Sequence, residues 1–256
     1  RNLLLMNEGG VLTDRTSTLA SASDVSGDLG FFTPTAGRDV VVTDVNGDGW
    51  LDVVTAVGFG LTSQPKSVSH PRVYLNLGED LTGAWLGLRY EEARIPTLIS
   101  FVSGLAVAAR FNAVAAGDVD GDGDIDLYFT DHDASPANPF GGESANLDTD
   151  DRLFLNDGKG VFTQQMVFQG HPLYGHSSFE LTDFNGDGRP DFVVTNGDNG
   201  EYPSPPKSYH GIRVYLNRGG MKYEKSLFLP LNGAFRALAR DYDADGDTDI
   251  AAVSYF

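Results

Sequence analysis

Four nine-residue segments place oxygen-bearing side chains at alternating positions, an arrangement suited to binding a hard cation. The segments are DVNGDGWLD (44–52), DVDGDGDID (118–126), DFNGDGRPD (183–191) and DYDADGDTD (241–249), called below the first to fourth acidic loops. Each has Asp or Asn at its first, third, fifth and ninth positions and glycine at its sixth. Several oxygen ligands in a tight loop select Ca²⁺, or less well Mg²⁺ or Mn²⁺, over Zn²⁺ and copper. The pattern therefore predicts about four bound Ca²⁺ ions, whose charge offsets the repulsion between the carboxylates.

The predicted ligands are the side chains at those four positions together with the backbone carbonyl of the seventh residue. They are Asp44, Asn46, Asp48, Trp50 and Asp52; Asp118, Asp120, Asp122, Asp124 and Asp126; Asp183, Asn185, Asp187, Arg189 and Asp191; Asp241, Asp243, Asp245, Asp247 and Asp249. An EF-hand would need a Glu at the twelfth position and flanking helices. The twelfth residues here are Thr55, Phe129, Val194 and Ala252, all within β-type runs. A simple Asx turn is the alternative for any single loop, but four complete sets favour metal binding.

Short apolar runs on both sides of each acidic loop predict β-strands. VVVTD precedes the first loop and LDVVTAV follows it, and the other three loops have comparable flanks. A second signal, an apolar run ending in Asn with glycine soon after, recurs at LMNEGG, YLNLG, FLNDG and YLNRG. The repeating unit is strand, acidic loop, strand, long loop, strand, Asn turn, strand. Four-stranded antiparallel units in tandem predict an all-β fold, a β-propeller of four-stranded antiparallel blades.

The four repeats make residues 1–256 a single predicted domain. The sequence starts with what reads as the third strand of a blade and stops after what reads as a second strand. Two arrangements follow: a closed four-bladed ring whose last blade joins two strands from each end, or part of a larger propeller.

The acidic loops and the Asn turns together resemble the FG-GAP or VCBS repeats of integrin α-subunit propellers and of many bacterial secreted proteins. The resemblance covers nearly the whole chain; Ala244 departs from it, because glycine is usual at the fourth position of the loop. It implies a calcium-binding β-propeller whose ions lie between the first and second strands of each blade, and its side-chain ligands match the positions given above.

The composition narrows the function classes. There are 36 Asp and Glu residues against 18 Lys and Arg, and the net charge of −18 disfavours binding to nucleic acid. The chain has no cysteine, and no apolar stretch reaches the roughly 20 residues of a membrane-spanning helix. With the resemblance, these features predict an extracellular, cell-surface or periplasmic protein.

The long loops opposite the acidic loops, 57–71, 131–151 and 197–211, are the predicted recognition surface for a protein or glycan partner. Candidate ligand-binding residues there are Lys66, His70, His132, His171, His176, Lys207 and His210. The favoured hypothesis is a calcium-stabilised binding or assembly module. The alternatives are a polysaccharide lyase or dehydratase using the loop histidines with Tyr174 or Tyr202, and a structural domain of a larger surface protein or filament. No catalytic sequence motif supports the enzyme.

Overall fold

The computed structural model describes residues 2–101, 103–131, 151–165, 177–197 and 210–255. The strands are β1 (Leu5–Glu8), β2 (Val11–Asp14), β3 (Ala22–Ser23), β4 (Gly37–Thr43), β5 (Asp52–Val57), β6 (Arg72–Asn76), β7 (Leu88–Tyr90), β8 (Phe111–Gly117), β9 (Asp126–Asp131), β10 (Arg152–Asn156), β11 (Phe162–Gln165), β12 (Ser178–Thr182), β13 (Asp191–Asn196), β14 (Gly211–Asn217), β15 (Tyr223–Pro230), β16 (Ala234–Arg240) and β17 (Asp249–Ser254). Two single-turn helices, α1 (Thr16–Leu19) and α2 (Lys66–Ser69), and two 3₁₀ turns (Gly30–Phe32 and Glu92–Arg94) complete the described elements.

Three antiparallel sheets follow the predicted repeating unit. The first sheet contains β4 to β7, the second β8 to β11 and the third β12 to β15, each with neighbouring strands in chain order. A short fifth strand, β3, pairs in parallel with β7, which the sequence did not predict. In every case an acidic loop connects the first strand of a unit to the second. The twelfth residues counted from each loop's start lie in β5, β9, β13 and β17, which agrees with the exclusion of an EF-hand.

The second strand of each complete sheet is buried on both faces. β5, β9 and β13 carry nearly continuous apolar or β-branched residues, and all but one of their residues are buried. Such runs fit strands covered on both sides. The first strands of successive units pack beside one another, in the order β4, β8, β12 and β16.

Aromatic and aliphatic side chains fill the space between neighbouring sheets. Phe129 and Phe154 belong to a buried cluster shared with the first sheet, and their rings meet edge to face at 5.5 Å. Between the second and third sheets Tyr128 stacks on Phe179, with ring centroids 3.9 Å apart. Face-to-face packing of four-stranded antiparallel sheets is the packing expected between propeller blades.

The predicted joined blade is not formed in this structure. β1 pairs only with β2, and β16 pairs only with β17, so the described residues contain two separate two-stranded sheets instead of one four-stranded sheet. The hairpin β1–β2 instead lies beside the first sheet. Leu4, just before β1, packs on the buried cluster that contains Tyr74 and Tyr90, and its N–H donates to Thr16 Oγ1 at 2.8 Å. A closed four-bladed ring is therefore not observed, and membership of a larger propeller stays a prediction.

Candidate metal loops

The first Asp of each acidic loop organises the backbone around itself. In the second loop, Asp118 Oδ1 accepts the N–H groups of Gly121 and Asp122 at 2.7 and 3.1 Å, and Oδ2 accepts Gly123 N–H at 3.0 Å. Both oxygens of the equivalent residues Asp44, Asp183 and Asp241 accept loop N–H groups in the same way. The alternating Asx residues thus fold each loop into a compact turn before any ion is considered.

The ninth Asp closes the loop from the strand side. In the second loop Asp126 is completely buried; its Oδ2 accepts Val119 N–H and its Oδ1 accepts Asn156 N–H, both at 2.9 Å. Asp52 and Asp191 are equally buried and make the matching pair of bonds, the second with the turn residues Asn76 and Asn217. The carboxylate therefore connects the acidic loop to the third strand of the same sheet.

Burial of these carboxyl groups shifts their protonation. Burial raises the pKa of Asp126 to about 6, the two N–H donors oppose the rise, and Asp120 and Asp122 add to it by charge repulsion. The pKa of Asp52 is raised to about 6 for the same reasons, burial first, with Asp48 and Asp44 as the repelling neighbours. The pKa of Asp191 is also raised, chiefly by burial. A bound cation would favour the ionised form of these groups.

The second and fourth loops bring three carboxylates together. One oxygen each of Asp118, Asp120 and Asp126 lies within 4.8 Å of the others, and the equivalent residues of the fourth loop, Asp241, Asp243 and Asp249, meet the same limit. This all-oxygen donor set fits Ca²⁺, which takes carboxylate and carbonyl oxygens at 2.3–2.6 Å in flexible geometry. A carboxylate oxygen that already accepts one N–H retains a lone pair for a metal.

The first and third loops differ because Asn occupies their third position. Asn46 Nδ2 donates to Asp48 Oδ2 at 2.9 Å, and Asn185 Nδ2 donates to Asp187 Oδ2 at 3.1 Å. In the third loop Asp187 also forms an ion pair with Arg189 at 2.5 Å. The seventh residue has the same role in all four loops: the N–H of Trp50, Asp124, Arg189 or Asp247 donates to the fifth Asp.

The turn Asn residues have a function in the structure that the sequence did not reveal. Asn156 Nδ2 donates to Ile125 O in its own sheet at 2.8 Å and to Val45 O, in the first acidic loop, at 2.7 Å. Asn217 Nδ2 likewise reaches Val119 O in the second loop at 3.3 Å. Each of these residues therefore joins the acidic loop of one sheet to the next sheet. The spacing between the ninth Asp and the turn Asn varies along the chain, so sequence distance gave no sign of the contact.

The candidate loop residues are placed less uniformly. His70 is buried; Leu98 N–H donates to its Nε2 at 3.0 Å, and its Nδ1 lies 3.0 Å from Ser69 Oγ. Burial, and to a lesser extent the charge of the nearby Lys66, lowers the pKa of His70 to about 4. Lys66 is half-buried and donates from Nζ to Glu92 O at 2.8 Å. His210 is buried before β14. The remaining candidates lie outside the described residues: His132, His171, His176 and Lys207, with Tyr174 and Tyr202.

A third-strand arginine repeats in all three sheets, four residues before the turn Asn. Arg72, Arg152 and Arg213 are all buried. Arg72 pairs with both oxygens of Asp28, at 2.8 and 2.9 Å, and its guanidinium lies 3.5 Å from the centre of the Tyr90 ring. None of the three is among the candidate residues predicted from the sequence. The constant four-residue offset from the turn Asn was the signal that would have identified them.

Comparisons with known proteins agree with the repeat. The family model described as "FG-GAP-like repeat" matches residues 144–194 and 183–252, and the one described as "FG-GAP repeat" matches residues 36–66. These ranges contain the first, third and fourth acidic loops, whereas the second loop lies outside them.

No curated protein matches the chain. One similar solved structure is entitled "Crystal structure of the V. cholerae biofilm matrix protein Bap1", with 16% sequence identity and a TM-score of 0.42. The alignment covers 98% of this chain but only 32% of that protein, so the chain spans about a third of its length. No helix among the described residues is long and apolar enough to cross a membrane. The matched repeats, together with the four-stranded sheets and their acidic loops, identify the chain as a member of the FG-GAP repeat family.

Proposed function

We propose that the chain is a calcium-stabilised, extracellular binding or assembly module. The observation that carries the proposal is the carboxylate cluster of the acidic loops: three side-chain oxygens within 4.8 Å in the second loop, closed by the buried Asp126. In these loops Ca²⁺ would neutralise adjacent carboxylates and hold the first two strands of a sheet to the third. The first, third, fifth and ninth side chains and the seventh carbonyl are the ligands we assign, with about four ions per chain.

The setting outside the cell is supported by the repeat family and by the chemistry of the loops. Millimolar calcium outside cells is sufficient for sites of modest affinity. The long loops 57–71, 131–151 and 197–211 are the proposed surface for a protein or glycan partner. The buried His70 offers little to a ligand, so recognition there would fall to other residues of these loops.

Calcium stoichiometry and thermal unfolding test the proposal together. Elemental analysis of the desalted protein is expected to find about four Ca²⁺, and millimolar Ca²⁺ is expected to raise the melting temperature over that of metal-free protein, because an ion that binds only the native state stabilises it. The matched control is Mg²⁺ at the same concentration, with a smaller expected shift because it dehydrates reluctantly. Fewer than two ions with no change in melting would refute the proposal.

A further inference from the structure

A cavity of about 410 Å³ lies along the first strands of the successive units. Its walls come from β4, β8, β12 and β16, and no residue of the four nine-residue motifs lines it. We call it the axial cavity. Pockets for small ligands are commonly 300–1,000 Å³, so the axial cavity is large enough for a sugar-sized molecule.

One repeat position lines the axial cavity in every unit. The residue six places before the first Asp of each acidic loop is Arg38, Asn112, Ser177 or Phe235, and all four line the cavity. The pairing register shifts at this position in β4, β8 and β16, so three of the four are the extra residues of β-bulges. A bulge bends the strand and redirects the side chain of the extra residue.

Equivalent backbone positions in the cavity wall thus carry four different chemical groups. Arg38 provides a guanidinium, Asn112 a carboxamide and Ser177 a hydroxyl group, whereas Phe235 provides an aromatic ring that is 50% exposed. Arg38 and Phe235 are exposed and Asn112 and Ser177 are half-buried, so this position is open to solvent and does not serve packing between units. The mixture instead offers hydrogen-bond donors and acceptors on some walls and an apolar surface on another.

The charges of the axial cavity favour an anion. Three arginines, Arg38, Arg236 and Arg240, and two acids, Asp39 and Glu180, line it, which is an excess of one positive charge. Arg240 pairs with Glu180 at 2.5 Å, and Asp39 keeps its charge while it accepts Val114 N–H at 3.2 Å. Among the described residues neither Arg38 nor Arg236 forms an ion pair with a carboxylate. Arg38 instead lies over the Phe59 ring, 4.5 Å from its centre, which leaves its N–H groups available.

Acidic residues outnumber basic ones in this chain by 36 to 18, whereas the cavity lining has more basic than acidic residues. Guanidinium groups bind carboxylates by paired, charge-assisted hydrogen bonds. Amide and hydroxyl groups bind the hydroxyls of a sugar, and an exposed aromatic ring packs on its apolar face. A neutral sugar would leave the arginines unused, and a simple carboxylic acid would leave the amide, hydroxyl and ring unused.

We propose that the axial cavity binds a carboxylated sugar, with Arg38 and Arg236 on the carboxylate, Asn112 and Ser177 on the hydroxyl groups and Phe235 against the ring. The proposal rests on the binding role given above and names a ligand class for it. The site contains no residue of the acidic loops, and Arg38 connects it to Phe59 of the long loop 57–71. It uses none of the assigned calcium ligands.

Isothermal titration calorimetry with the calcium-supplemented protein tests this assignment. Glucuronate is expected to bind, whereas glucose, which has the same ring without the carboxylate, is expected to bind at least about tenfold more weakly, because charge-assisted hydrogen bonds contribute that order of affinity. Arg38→Gln and Arg236→Gln are each expected to weaken glucuronate binding by about tenfold or more. Arg218→Gln is the matched control, because it removes the same charge from an exposed pair with Glu224 outside the cavity.

A second titration, with a short oligomer of uronate residues, distinguishes a free sugar from a sugar within a polymer. Binding of both compounds supports a site for a single carboxylated sugar, and binding of the oligomer alone supports a site for a sugar within a polymer. Glucuronate and oligomer binding that is unchanged in both arginine variants would overturn the proposal, as would no binding of either. Calcium content and melting temperature, measured on the same samples, are expected to be unchanged in the variants, so a failure of sugar binding is distinguishable from a failure of the calcium proposal.

Discussion

The second and fourth acidic loops have nearly the same sequence but different surroundings. Asp126 is buried and held by two N–H groups, one from its own loop and one from Asn156 on the third strand. Asp249 is exposed and accepts Tyr242 N–H at 3.1 Å, and within the described residues no third strand stands beside β17. The hydrogen bonds within an acidic loop are therefore sufficient to form its turn, whereas burial of the ninth carboxylate requires the neighbouring third strand.

The largest expected difference between the second and fourth loops is in how much the ninth Asp contributes to the free energy of unfolding. Asp126→Ala leaves two buried N–H donors without an acceptor, so we expect the free energy of unfolding to fall by about 2–5 kcal/mol. Asp249→Ala removes an exposed group and is expected to cost about 1 kcal/mol or less. Urea unfolding in calcium-containing buffer measures both variants.

Asp126→Asn is the control for this comparison, because it keeps one acceptor oxygen and is expected to fall between the wild type and Asp126→Ala. Equal losses for Asp126→Ala and Asp249→Ala would show that the buried hydrogen bonds to Asp126 contribute no additional stability.

A second difference is expected in the response to pH. In metal-free protein the pKa of Asp126 is raised to about 6 by burial, above the roughly 3.9 of an unfolded Asp. Between these values unfolding releases a proton, so the contribution of this group to stability falls as pH rises from about 4 to 6 and is constant above. Calcium needs the ionised form, so its affinity for the second loop is expected to fall about tenfold from pH 7 to pH 5.

Calcium titrations at pH 5 and pH 7 measure this effect. Asp126→Asn is expected to weaken calcium binding and to remove the part of the pH dependence that comes from Asp126. Asp249→Asn is the matched change in the fourth loop and should leave that part in place. The interpretation fails if wild-type affinity for calcium is the same at both pH values.

The smallest expected difference concerns the fourth position of the loop. Ala244 has a φ of 63°, whereas Gly121 has the equivalent place in the second loop with a φ of 89°. A left-handed backbone costs a residue with a Cβ about 1 kcal/mol relative to glycine. Ala244→Gly is therefore expected to raise the free energy of unfolding by up to about 1 kcal/mol, and Gly121→Ala to lower it by a similar amount. Thermal unfolding of the two variants measures the direction of each change. A lower melting temperature for Ala244→Gly would contradict the proposed backbone strain at Ala244.

Much of the local architecture could be predicted from the sequence. The alternating Asx residues, the glycines and the flanking apolar runs identified the acidic loops, placed each between the first and second strands of a unit, and excluded an EF-hand. The strand and Asn turn at LMNEGG and the three antiparallel sheets also followed from local patterns. These features depend on side chains and backbone groups within a few residues of one another, and such interactions are encoded directly by spacing.

Contacts between distant parts of the chain were decided only by the tertiary structure. The separation of β1–β2 from β16–β17 depends on where Leu4 finds apolar surface, which the number of strands does not specify. The bonds from Asn156 to the first loop and from Asp126 to Asn156 span loops of variable length, so no fixed spacing marks them. Arg38, Asn112, Ser177 and Phe235 have a constant offset from the acidic loops in the sequence, but only the packing of the first strands brings these four residues to the wall of one cavity.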